Sequence, residues 1–172
     1  GDGDPWLWRA LPAPRTEVFT ATVGALAAGP SRLRVALWGA TEAPATPDHR
    51  VRITVNGRPA ADDTWDGRTG HVVDAVLPDG VLRPGANAIA VDTPGVAGVA
   101  VDIPILDWIA LDHPRPARAD DGRLAFTAPL GPSVTLVGFS GVPAVWDVTD
   151  PAQPVAVDVE PGDLVAVTAL QL

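Results

Sequence analysis

The sequence predicts an all-β protein: an antiparallel β-sandwich of jelly-roll type followed by a small β unit. Three observations predict it. Gly and Pro together make up 36 of 172 residues (17 + 19), a density that suits many short elements joined by tight turns. Apolar residues alternate with polar ones at the two-residue period of a sheet with one wet face. No segment of the first 113 residues keeps a 3.6-residue period over three turns, so helices are expected to be few and short.

Residues 1–14, GDGDPWLWRALPAP, read as a turn-rich entry segment in which Trp6 and Trp8 can lie against one surface of the domain. In the first strand Phe19, Ala21 and Val23 share a face. In the second, Leu33, Val35 and Leu37 oppose Arg32, Arg34 and Ala36; in the third, Val51, Ile53 and Val55 oppose Arg50, Arg52 and Thr54. Asn56-Gly57 then predicts a type I′ hairpin, which needs positive φ at both central residues. Pro59 and two alanines weaken the returning strand, and an acidic loop around Asp62, Asp63 and Asp66 is expected to follow. Strand character resumes at residues 71–77 and 87–91, separated by the turns of PDGVLRPGAN.

A last long strand is read over residues 99–112. Its odd-numbered series Val99, Val101, Ile103, Ile105, Ile109 and Leu111 predicts one buried face with Asp107 inside it. An ionised carboxylate there needs partners, so Asp107 is expected at a bulge near Pro104 or bonded to neighbouring backbone N–H groups. The polar stretch HPRPARADDG, 113–122, marks a boundary. The expected organisation is therefore an entry segment (1–14), a jelly-roll domain (15–113) and a small β-rich unit (114–172). In the last, RLAFT, SVTLVGF, AVWDV, PVAVDV and LVAVTAL read as short strands. At roughly sixty residues that unit is small for independent stability, so it packs on the first domain or lacks a neighbour.

Composition excludes several function classes. Net charge is −9 and all 12 cationic residues are arginine, which argues against a nucleic-acid groove. Asp outnumbers Glu by 18 to 3, placing most acid in turns and caps. There is no Cys, which removes disulfides, thiolate chemistry and zinc-finger sites. Apolar runs are too short to cross a bilayer. With no Met at position 1 and no signal pattern, the chain reads as a piece of a longer protein.

Among candidate sites, Asp62, Thr64, Asp66 and Gly67 match the first half of an EF-hand calcium loop, but the twelfth position is Val73 and not an acid. A looser calcium site from Asp62, Asp63 and Asp66 with backbone carbonyls is the remaining metal option, against a plain solvated turn. Trp65 reads as a lid over the end of the core or, in the alternative, as a sugar platform. GFSGV around Ser140 misses the G-x-S-x-G elbow by one position. His49, His71 and His113 are far apart and each adjoins a turn, so a metal triad from them is not expected.

The pieces ITVNG (53–57), TWDG (64–67), VLRPGANAIAV (81–91) and LDWIAL (106–111) together resemble galactose-binding-like jelly rolls, which occur as accessory modules on large secreted enzymes. DPWLWRAL (4–11), with GRLAFTA and VTLVGFSGVPAVWDVTDPAQPVAV within 122–157, is similar to the region upstream of the catalytic domain in gingipain-like cysteine peptidases. The likeness runs from about Trp6 to about Val157 and rests on turns and strand ends. Such peptidases use a Cys and a His; with no Cys here, no catalytic residue carries over.

The resemblance implies a non-catalytic accessory region of a large exported bacterial protein, extracellular or at the cell surface. Its partners would be neighbouring domains of the same polypeptide, with no nucleic acid, no membrane insertion and no cofactor other than calcium. The rival expectation is a carbohydrate-binding module that holds a glycan with Trp65, Asp62, Asp63 and Asp66.

Overall fold

The computed structural model describes residues 8–119, 121–126, 134–160 and 165–167, and the described residues contain strands and turns but no helix. The chain divides into two compact units, Gly1–Arg115 and Pro116–Leu172. In the first unit, eight strands appear in order: β1 (Arg9–Ala10), β2 (Arg15–Val23), β3 (Ser31–Gly39), β4 (His49–Val55), β5 (Arg58–Trp65), β6 (Gly70–Leu77), β7 (Gly85–Thr93) and β8 (Pro104–Asp112). One sheet runs β1-β8-β3-β6 and the other β2-β7-β4-β5, with every pair antiparallel. Consecutive strands mostly cross from one sheet to the other, which is the jelly-roll order.

The two inner faces meet as the alternation predicts. Leu33, Val35, Leu37, Val73, Leu77 and Leu106 from one sheet pack with Val51, Ile53, Val55, Ile89 and Val91 from the other. Each such fully buried aliphatic side chain stabilises the fold by about 1.5–3 kcal/mol relative to exposure. The hairpin turn also forms as expected, with φ of 50° at Asn56 and 77° at Gly57. Asn56 and Asn87 brace the end of the sandwich behind it. Asn56 Nδ2 donates to Asn87 Oδ1 and Val81 O, while buried Asn87 accepts from the Arg83 N–H and donates to Arg83 O and Gly85 O.

Four expectations are corrected. The entry segment is not merely an approach to the domain: β1 pairs with β8, Arg9 opposite Leu106, and Leu11 is fully buried in the core. Trp8 lies tilted against Phe19 at 5.0 Å but is 59% exposed; Trp6 falls outside the described residues.

The acidic stretch is strand and not loop. β5 continues through Asp62 and Asp63 to Trp65, after a register shift opposite Ile53/Thr54. The cause lies on the neighbouring strand, where Arg50 holds Asp62 at 2.7 Å and Arg52 lies 3.4 Å from it. These outward arginines neutralise the carboxylate that would otherwise disfavour a strand.

The odd-numbered series at the end of the domain is not one buried face. Asp102, Pro104 and Leu106 point inward, whereas Val101 is 58% exposed. Ala36 pairs with Trp108 and Leu37 with Leu106, so Asp107 is the extra residue of a bulge. That bulge switches the inward face, and Ile109 and Leu111 then pack on the core. Asp107 thus sits at the bulge that its position suggested.

In the second unit the described strands are β9 (Val134–Leu136), β10 (Val145–Asp147), β11 (Val155–Val157), β12 (Val159–Glu160) and β13 (Val165–Val167). β10 pairs with β11, and β12-β13-β9 form a three-stranded sheet. Leu136 is buried against Ala117, Leu124, Phe139, Val145, Val157 and Val159. RLAFT, expected as a strand, has only one bridged residue, Arg123, among its described positions. Leu124 of that segment instead packs against buried Leu136, a side-chain contact that needs no ladder.

Candidate functional site

In the first unit a cluster of polar side chains surrounds a buried imidazole at one end of the sandwich. Alternation along β4 points His49, Val51, Ile53 and Val55 inward, and all four are 0% exposed. His49 Nδ1 lies 2.6 Å from Asp102 Oδ1, and Nε2 lies 3.1 Å from the Thr41 carbonyl oxygen. Asp48 Oδ1 is 3.5 Å from Nε2. Asp48 also accepts from the N–H groups of Ala43 (2.7 Å) and Gly67 (2.8 Å), and Thr41 Oγ1 accepts from Ile103 N–H. Three loops, β3–β4, β5–β6 and β7–β8, are therefore tied together through one histidine and two carboxylates.

An aromatic stack continues the cluster. Trp65, opposite His49 in the β4–β5 ladder, is buried with its ring 4.8 Å from the His49 ring. His71 of β6 also stacks on Trp65, its ring 4.9 Å away and tilted by only 2°. His71 Nε2 is 2.8 Å from Asp63 Oδ2. The stack spans from β5, at the edge of one sheet, to β6, at the edge of the other, where no backbone ladder joins them.

Electrostatics follow from burial and bonding. Burial pushes the Asp48 carboxyl up, but the Gly67 and Ala43 N–H groups and His49 outweigh it and leave it below the usual carboxylate range. For Asp102, burial dominates over the bond from His49 and raises it. At the exposed face, the Arg50 bond holds Asp62 below its ordinary value.

Chemically this is a clamp. The His49–Asp102 pair has the parts of a catalytic base, yet the imidazole is sealed. A Cβ on Gly39 would stand 2.4 Å from Nε2, so backbone occupies the space a substrate would need.

The sequence-derived site residues go to different partners. Asp62 faces Arg50 and Arg52, Asp63 faces His71, and exposed Asp66 accepts through its backbone oxygen from Thr69. Neighbours along a strand point to opposite sides, so Asp62 and Asp63 do not converge on one point. Among the described residues no group of three or more His, Asp or Glu is arranged to hold a metal ion. Trp65 is buried and stacks with two imidazoles, those of His49 and His71. The histidines, read as isolated, are not all so: His49 and His71 flank Trp65, while His113 bonds Pro114 O elsewhere.

Ser140 lies in the second unit, in a cavity of about 590 Å³ lined by Phe126, Phe139, Val142 and Trp146 among others, and among the described residues no histidine or carboxylate lines it. Sequence reasoning missed Asp48, His49 and Asp102. The β4 alternation already placed His49 inward; Asp102, 53 residues away, carried no local signal.

No family model matches the chain, and no curated protein matches it. Among solved structures it is similar to dimeric latent PorU from Porphyromonas gingivalis, a gingipain-like peptidase, at 15% identity and a TM-score of 0.61. What that likeness shows is the fold. It covers 94% of this chain and 16% of the PorU chain, so the sequence spans about a sixth of the protein it matches. The gingipain-like resemblance read from the motifs is thereby matched by a three-dimensional likeness. Two carbohydrate-binding modules also match: a family 36 module in complex with calcium and xylotriose (16% identity, TM-score 0.42, covering 60% of this chain and 78% of that one) and a family 35 module from an environmental isolate (17%, 0.40, 57% and 65%).

Proposed function

We propose that the chain is a non-catalytic β-sandwich accessory region of a larger exported bacterial protein, where it packs beside or presents a neighbouring peptidase-like domain. The observation that carries this reading is the fold likeness over 94% of the chain to a stretch amounting to 16% of PorU. A second support is that the one buried His–carboxylate pair described above is closed to substrate by Gly39 and Thr41. Glycan recognition at Trp65 is disfavoured because the indole is only 7% exposed and stacks with His49 and His71, leaving little ring on which a sugar could stack.

The test is deletion of residues 1–172 from the longer protein that encodes them. The expected result is a lower yield of the exported neighbouring domain, with the isolated 172-residue chain inactive against peptide, ester and glycoside substrates. Export and folding of the neighbour unaffected by the deletion would refute the proposal. A glycan array on the isolated chain addresses the binding-module alternative, and saturable binding to any sugar would favour that alternative.

A further inference from the structure

The hydrogen bonds around His49 fix a count of protons. The Thr41 carbonyl oxygen can only accept, and Asp48 Oδ1 and Oδ2 already accept from backbone N–H groups of Gly67 and Ala43. Nε2 must therefore carry a hydrogen. Nδ1 stands 2.6 Å from Asp102 Oδ1, a separation at which two bare lone pairs would repel, so a second hydrogen lies between them. Whether it resides on the imidazole or on the carboxyl, the pair holds one proton more than a neutral imidazole with a carboxylate.

We propose that folding of the sandwich takes up one proton into the His49–Asp102 pair, making this end of the domain a proton-dependent clamp on three loops that loosens as pH rises. Without that proton, two carboxylates, Asp48 and Asp102, would be buried beside an uncharged ring. The groups facing the pair are few. Asp48 adjoins it on its own segment, Gly39 of β3 and the Thr41 carbonyl close one side, and the second Asp102 oxygen, Oδ2, is buried with no hydrogen-bond partner among the described residues. From β5 and β6 come Trp65 and, behind it, the His71–Asp63 pair. The indole face favours positive charge on the ring stacked against it. Burial of Asp102 pushes its carboxyl in the same direction, toward retention of the proton.

The sign is set by linkage. Below about pH 6.5 the unfolded imidazole is itself protonated and the pair contributes no pH dependence; above it only the folded state keeps the proton, so stability falls as pH rises. The composition makes this readable, because the chain has no Cys, Tyr or Lys and the α-amino group and three histidines alone titrate in mildly alkaline solution. Urea unfolding of the full chain, followed by circular dichroism, is expected to give a folding constant that falls as pH rises above about 6.5, by at most about tenfold per pH unit for one proton.

His71→Gln and His113→Gln are expected to retain that slope, and Asp102→Asn to flatten it. A flat profile in the unmodified chain, an unchanged slope in Asp102→Asn, or loss of the slope in His71→Gln would each overturn the proposal. Should Asp102→Asn fail to fold, refolding of the unmodified chain in weakly buffered solution at about pH 8 decides: uptake of about one proton supports the clamp, and no uptake refutes it.

Discussion

Gly39 at the end of β3 offers the sharpest test of the clamp. A methyl group there would stand 2.4 Å from the Gly67 carbonyl oxygen, 2.4 Å from His49 Nε2 and 2.8 Å from His49 Cδ2. None of these atoms can retreat cheaply. The Gly67 N–H is bonded to Asp48, the Gly39 N–H to the Thr69 carbonyl, and the His49 ring is held between Asp102 and Trp65. Overpacking of this kind costs about 1–3 kcal/mol. Displacing His49 also breaks a charge-assisted bond worth about 1.5–3 kcal/mol.

Gly39→Ala is thus expected to lose about 3–5 kcal/mol in urea unfolding. In thermal melting, at about 4 °C per kcal/mol for a unit of this size, the midpoint falls by more than about 10 °C. Gly70→Ala is the control. Its added carbon would meet only the Trp38 ring at 3.7–3.8 Å, ordinary contact, so little change or a slight gain is expected. A Gly39→Ala protein within about 0.5 kcal/mol of the parent would refute the argument, because it would mean that the loops and His49 are free to move.

Asp48→Ala leaves the Ala43 and Gly67 N–H groups without their acceptor and is expected to cost about 2–4 kcal/mol by urea unfolding. Because the Asp48 carboxyl sits below its ordinary value, its contribution is present above about pH 4 and lost as pH falls through the lowered folded value, so acid unfolding should begin at higher pH in the variant. Asn87→Ala removes buried bonds to Arg83, Gly85 and Asn56, and a loss of about 2–4 kcal/mol is expected in the same assay. Millimolar calcium is expected to leave the melting midpoint unchanged, since Asp62 is engaged by arginine and Asp63 by histidine. A calcium site would instead add about 2.7 kcal/mol at a hundredfold excess over its dissociation constant.

Much of the fold was legible in short stretches. The alternation of Leu33-Val35-Leu37 and Val51-Ile53-Val55 and the Asn56-Gly57 turn predicted strands and a hairpin that the structure contains. Local signals failed where a neighbour overrode them. Asp62 looked like a loop residue because Asp alone disfavours strands; Arg50 and Arg52 across the ladder reverse that preference. The face of β8 was misread because the bulge at Asp107 exchanges inward and outward positions partway along the strand.

The candidate site was the least legible part. His49 could have been placed inward by counting along β4, but beside its neighbour Asp48 its partners arrive from residues 41, 65 and 102, the last two on other segments.

By itself, then, the sequence determined an all-β chain, its pleated alternation, its principal hairpin and the want of a thiol nucleophile. These depend on residue type and on spacing of a few positions. The tertiary structure alone decided which carboxylates are buried and which are paired on the surface, because desolvation and hydrogen bonding act through neighbours brought together from distant loops. Asp102 and Asp62 are the same residue in composition, and only folding makes one a buried partner of histidine and the other an arginine's counter-ion.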